Sequence, residues 1–194
     1  MKQLSICFLL VAWIYVLPVQ ANFFLEPGIT YEQTTDEIDW PTPFTNSTGN
    51  TTGLGANLKI GVHALESFFA ALDVSYSKPN FENSISNYDA NATSFLYGVV
   101  GGAQMPIFGL RLWGGYILGG ELDPDKSGTV DAKFSGAKGP KVGVGFRLLM
   151  FSVNLEYSDL KYDKAEVTED TLGSAEDEMT HKMTTLSFSF PFTL

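Results

Sequence analysis

From residue 22 onward, apolar and polar positions alternate with a period of two, and helical spacing is nowhere sustained. In the first stretch Phe23, Leu25, Ile29 and Tyr31 are apolar, while Phe24, Glu26, Gly28, Thr30 and Glu32 form a smaller, more polar face. The pattern returns at Leu54, Ala56, Leu58, Ile60 and Val62, then at Phe68, Ala70, Leu72, Val74 and Tyr76, and less cleanly at Phe95, Tyr97 and Val99. It returns again at Phe108, Leu110, Leu112 and Tyr116; at Val142, Val144, Phe146 and Leu148; and at Phe151, Val153, Leu155 and Tyr157. The last stretch is Leu186, Phe188, Phe190, Phe192 and Leu194, alternating with Ser187, Ser189, Pro191 and Thr193. Eight strands are therefore predicted.

The links between them alternate in length. Residues 34–52, 78–93, 121–138 and 163–181 read as long polar loops, whereas the links near 64–67, 104–107 and 149–150 are a few residues each. Alternating long and short links describe an antiparallel up-and-down meander with every long loop at one end and both termini at the other. Aromatic spacing supports the repeat. Phe23, Phe68, Phe108 and Phe151 open the ascending strands 45, 40 and 43 residues apart, and Phe192 returns to that level another 41 residues on. Tyr31, Tyr76 and Tyr116 follow their phenylalanines by eight residues and Tyr157 follows by six. Eight residues rising about 3.3 Å each, tilted by about 40°, climb about 20 Å, near the apolar band of a transmembrane barrel. Two aromatic girdles are expected.

Which face is covered by lipid follows from side-chain size. The polar face is rich in glycine (Gly28, Gly53, Gly55, Gly61, Gly109, Gly115, Gly119, Gly143, Gly145) and suits a narrow lumen, while the apolar face carries large residues and no charge in its central stretches. A lipocalin-like carrier would invert this arrangement. The greasy final strand needs a cover, and pairing it with the first strand removes both sheet edges.

The first 21 residues stand apart. Lys2, the apolar run Leu4 to Leu17 and the small-residue site Val19-Gln20-Ala21 read as a secretory signal peptide cut before Asn22; an uncleaved anchor is the alternative. Residues 22–194 then form one barrel domain. Cys7 leaves with the leader, so no disulfide is expected in the mature chain. The formal charge is −10, and −11 once Lys2 is removed, which excludes nucleic acid as a partner. No later window approaches the eighteen consecutive apolar residues of a membrane helix.

These residues resemble the small eight-stranded barrels of the bacterial outer membrane, the superfamily of the outer-membrane protein A transmembrane domain and the opacity-type adhesins. The resemblance rests on the N-terminal signal, the eight strands with four long links, and the final Leu186-x-Phe188-x-Phe190-x-Phe192-x-Leu194. It spans the whole mature chain. Members commonly end in Phe or Trp, whereas this chain ends in Leu194 with Pro191 inside the last strand. The resemblance implies an all-β, eight-stranded antiparallel barrel in the bacterial outer membrane. The partners it implies are outer-membrane lipids and lipopolysaccharide, the barrel-assembly machinery during biogenesis, and a surface ligand met by the loops.

The candidate chemistry lies on the inward face: Glu26, Lys59, Asp73, Arg111, Lys141, Arg147 and Glu156, with His63 near the periplasmic end. An eight-stranded barrel is just wide enough for side chains to fill, so these charges are expected to pair and plug the lumen; a narrow ion path is the alternative. Lipid A deacylases and palmitoyltransferases use this scaffold, but His181 is followed by Lys182-Met183 where a His-x-Ser pair is required, and no histidine with a neighbouring carboxylate and serine is recognisable. No enzymatic activity and no cofactor are expected on that ground. The segment 163–181 holds Asp163, Glu166, Glu169, Asp170, Glu176, Asp177 and Glu178 against Lys164, and the first loop adds Asp36, Glu37 and Asp39. This acidic rim is read as solvated surface, with bridging divalent cations as the alternative. Asp123, Asp125, Ser127 and Asp131 match the first nine positions of a calcium loop, but position twelve is Phe134 where a bidentate Glu belongs.

Overall fold

The computed structural model describes residues 21–38, 47–65, 67–83, 88–127, 130–169 and 173–194. The leader lies outside the described residues but for Ala21. The strands are β1 (Ala21–Ile38), β2 (Ser47–Ala64), β3 (Phe68–Asn83), β4 (Tyr88–Gln104), β5 (Leu110–Pro124), β6 (Val130–Leu148), β7 (Phe151–Glu169), β8 (Gly173–Ser189) and the two-residue β9 (Phe192–Thr193). Each of the first eight pairs antiparallel with its sequence neighbour, and β1 also pairs with β8, so eight strands close into a barrel. The last strand is broken. Proline at 191 has no amide hydrogen to give. β8 therefore stops at Ser189, Phe190 donates its amide to the Pro27 carbonyl at 2.9 Å, and β9 resumes against Phe24 and Leu25.

The period of two sorts side chains as expected: Ile29, Leu54, Leu72, Leu112, Val142 and Leu155 stand exposed on the outside, and Glu26, Lys59, Asp73, Arg111, Lys141 and Glu156 are buried inside. The girdle residues Phe23, Phe68, Phe108 and Phe192 face outward at the lower level, with Phe151 half-buried against Phe188, their rings stacked at 5.0 Å. Tyr31, Tyr76, Tyr116 and Tyr157 face outward at the upper level.

The long loops are a correction. Residues 34–38 and 47–52, 78–83 and 88–93, 121–124 and 130–138, and most of 163–181 continue the strands. Thr34 pairs with Thr51 and Ile38 with Ser47, so the β1–β2 ladder runs on for seven residues past Tyr31. The links shrink to 39–46, 84–87, 125–129 and 170–172. The barrel is thus a stem carrying a β-collar at the end opposite the C-terminus. Register irregularities at Tyr97/Gly98 between β4 and β5 and at Tyr162/Ala165 between β7 and β8 re-aim the strands near and above the tyrosine level.

Candidate functional site

The interior is built in layers. At the floor, Phe24, Phe69 and Trp113 form an apolar cluster. The Arg111 guanidinium lies 5.0 Å from the Phe69 ring centre, 5.6 Å from that of Trp113 and 5.9 Å from that of Phe24, a cation held against three π-faces. It forms a two-pronged pair with Glu26, at 2.7 and 2.6 Å, and also reaches Ser152 at 3.3 Å. Ser189 donates to the same Glu26 carboxylate at 2.6 Å. Such a bidentate geometry is the strongest form of ion pair and fixes both side chains.

Above it sits a square of four charges. Lys141 lies 2.7 Å from Asp73 and 3.1 Å from Glu156; Lys59 lies 2.9 Å from Glu156 and 3.7 Å from Asp73. Trp113 adds an indole N–H to Glu156 at 3.0 Å, its ring lying over Gly143 where any side chain would collide. Two lysines face two carboxylates, and the Glu26–Arg111 pair is likewise neutral. Desolvated ions are tolerated when matched and hydrogen-bonded in this way. Arg147 departs from the expected network. It sits half-exposed at the mouth nearest the C-terminus and donates to the carbonyls of Leu149 (3.4 Å) and Pro191 (3.3 Å).

The collar interior was invisible in the sequence reading. Ile38, Phe81, Leu96, Ile117, Leu122, Phe134, Leu160, Tyr162, Met179 and Met183 form one buried apolar cluster there. A polar seam runs beneath it. Asp36, assigned to the acidic rim from sequence, is instead fully buried: its carboxylate meets His181 Nδ1 at 2.5 Å and accepts from the Thr51 hydroxyl at 2.7 Å. Glu32 accepts from Ser77 at 2.6 Å. Burial works against a charged His181, but the facing Asp36 carboxylate outweighs it and holds the imidazole above its ordinary range. His63 is buried at the opposite end, stacked on Phe24.

The signal for this layer was parity. Glu26, Gly28, Thr30, Glu32, Thr34, Asp36 and Ile38 are consecutive inward positions, as are Ser152, Asn154, Glu156, Ser158, Leu160 and Tyr162. Of the rest of the acidic rim, Asp163 is compensated by Lys138 at 2.5 Å, while Asp39, Asp170 and the side chains of Glu169, Glu176, Asp177 and Glu178 lie outside the described residues. Asp123 pairs with Lys133 at 3.6 Å, and among the described residues no group of three His, Cys, Asp or Glu side chains converges as a metal site would require.

No family model matches the chain, and no curated protein matches it. Among solved structures, the outer membrane protein AlkL in DMPC bilayers superposes with a TM-score of 0.54 at 15% identity, over 90% of this chain and 92% of that one. OprG from Pseudomonas aeruginosa superposes with a TM-score of 0.51 at 10% identity, over 90% of this chain and 97% of that one.

A third match is to a protease. The outer membrane protease OmpT from Escherichia coli aligns over 92% of this chain and 99% of that one, at 9% identity and a TM-score of 0.40. The sequence reading excluded an enzyme, and that exclusion is withdrawn. A protease is among the structures this barrel aligns with, and His181 lies against the Asp36 carboxylate, a pairing that the sequence alone did not show. No residue is assigned a catalytic role. The barrel closure, the apolar exterior between two aromatic levels and the structural matches agree: this chain has the fold of the small eight-stranded barrels of the bacterial outer membrane.

Proposed function

We propose that the protein has a structural or surface-interaction role, as a sealed stem that crosses the outer membrane and holds a rigid collar at the cell surface. The observation that carries this reading is the matched filling of the lumen. Three buried cations, Lys59, Arg111 and Lys141, are met by three buried carboxylates, Glu26, Asp73 and Glu156, and the collar above them is packed with apolar side chains. A water path through such an interior would need a matched charge network and a hydrophobic core to open together. The barrel's outer face supports contact with lipopolysaccharide: Lys78, Lys138, Lys161 and Lys182 stand exposed just outside the tyrosine level, where phosphorylated headgroups lie. The links 39–46, 84–87, 125–129 and 170–172 would meet a surface ligand, and the barrel-assembly machinery is the partner during biogenesis.

Planar-bilayer recording of the refolded protein tests the seal. Traces without stable single-channel steps are expected; large steps from the wild type would overturn it. Exchange of the four links should transfer any adhesion phenotype with the strands unchanged. An acyl chain that appears in or vanishes from the outer-membrane lipids when the protein is expressed would replace the interaction role with lipid modification.

A further inference from the structure

The periplasmic end has turns of unusual chemistry. In the β2–β3 link Leu65 has φ +53°, and in the β6–β7 link Leu149 has φ +55°. This left-handed region costs an L residue with a side chain about 1–2 kcal/mol and is usually filled by Gly or Asn. Both leucines are nevertheless at the surface, Leu149 with 92% of its area exposed. Beside them Met150, Met105, Ile107 and Phe108 are also exposed, and links 104–109 and 148–151 contain no charged residue, whereas the β2–β3 link carries Glu66 next to Leu65. On a turn in water, a leucine at these positions would be unfavourable in backbone and side chain alike.

Part of the backbone of these turns is paired internally. Ser67 donates to Ala64 at 3.2 Å, Met105 to Leu110 at 2.8 Å, Gly109 to Met105 at 2.9 Å, and Arg147 to Gly109 at 2.7 Å. Arg147 also ties the Leu149 carbonyl to that of Pro191, facing a mouth cavity of about 750 Å³. Each such bond lowers the cost of surroundings that supply none. Band height points the same way. Phenylalanine to tyrosine levels span about 20 Å, short of the apolar band of about 25 Å. The tips lie beyond the last ladder pairs, Ala64 with Phe68, Gln104 with Arg111 and Leu148 with Phe151, and so extend the outward apolar surface at that end.

We propose that the β4–β5 and β6–β7 turn tips are an apolar foot immersed in the acyl chains of the inner, phospholipid leaflet, so that the lower membrane boundary lies beneath the phenylalanine level. The occupant is phospholipid hydrocarbon because the tips are continuous with the lipid-facing exterior of Phe68, Phe108 and Phe146. The immersed side chains then offset the backbone cost.

Cys7 is the only cysteine in the sequence, so single-cysteine nitroxide labels in a Cys7→Ser background report depth cleanly. With the protein refolded into phosphatidylethanolamine/phosphatidylglycerol vesicles, labels at Ile107→Cys and Leu149→Cys should collide preferentially with dissolved oxygen, as a Leu155→Cys label in mid-membrane does. Collision preferentially with an aqueous nickel chelate, as at Lys161→Cys, would place the tips in water and overturn the proposal. Shielding from both agents would mean a protein contact and would overturn it too. Leu149→Asn supplies an independent sign: it relieves the left-handed backbone, so a tip in water gains stability, whereas an immersed tip loses it. A lower urea midpoint of unfolding from vesicles is expected, and a higher one sinks the idea.

Discussion

Stem and collar are made from the same eight strands, yet their faces are exchanged. In the stem Leu72, Leu112 and Leu155 face out and Asp73, Arg111 and Glu156 face in; in the collar Lys133, Lys161 and Lys182 face out and Phe134, Leu160 and Met183 face in. Along β7 the change takes one step, from buried Glu156 and Ser158 to buried Leu160 and Tyr162, with no shift of parity. The solvent outside dictates the change. Hydrocarbon around the stem accepts apolar side chains at no cost and leaves ions to pair within. Water around the collar restores the ordinary rule, and the hydrophobic effect fills its interior. Each region is therefore stabilised by what the other puts on its surface.

The sharpest way to break this comparison is to treat the stem interior as if it were collar. Lys141→Met leaves Asp73 and Glu156 with Lys59 as the cation remaining in the square, an uncompensated negative charge in a buried site. A loss of about 3–5 kcal/mol is expected in urea unfolding from vesicles. Restoring neutrality with Asp73→Asn in the same chain should recover a large part of it. A Lys141→Met variant as stable as wild type would mean the square is hydrated rather than desolvated.

Strand count, closure and the lipid-facing set were legible because period two is a direct consequence of the pleat. Each inward charge of the stem could be named on parity alone. The partners could not: that Lys141 bridges Asp73 and Glu156 depends on strand tilt and register around the barrel, which no local pattern encodes. The collar was misread as loops because its strands break the expected sequence signature. With polar residues outside and threonine, acid and scattered apolar residues inside, 34–38 and 163–169 look like polar link sequence. Asp36 was misplaced for the same reason, since an acid beside Glu37 and Asp39 reads as solvated until the ladder from Glu26 is carried through to Ile38.

The outside of the barrel gives a test of intermediate size. Leu155→Lys puts an ammonium on the lipid face near the middle of the stem and should cost about 2–4 kcal/mol. Lys161→Leu makes the reciprocal change six residues along the same strand, on the water-facing side of the collar, and should stay within about 0.5 kcal/mol. Equal effects at the two sites, measured by unfolding from the same vesicles, would erase the distinction between stem and collar.

The smallest effect isolates the collar by pH. His181 faces the Asp36 carboxylate, with Glu32 near and the Tyr162 ring edge packed against it. Burial alone would lower the imidazole pKa, but Asp36 prevails and the folded value lies above the ordinary 6.5. A raised folded pKa contributes stability that is fully present below the unfolded value and is lost as pH rises through the folded one. His181→Gln should therefore cost most near pH 6, on the order of 1 kcal/mol for a modest displacement, and progressively less toward pH 9. Unfolding midpoints of wild type and variant at pH 6, 7.5 and 9 decide the matter: a difference that stays constant, or widens as the pH rises, would show that His181 is held neutral and that Asp36 is stabilised by Thr51 instead.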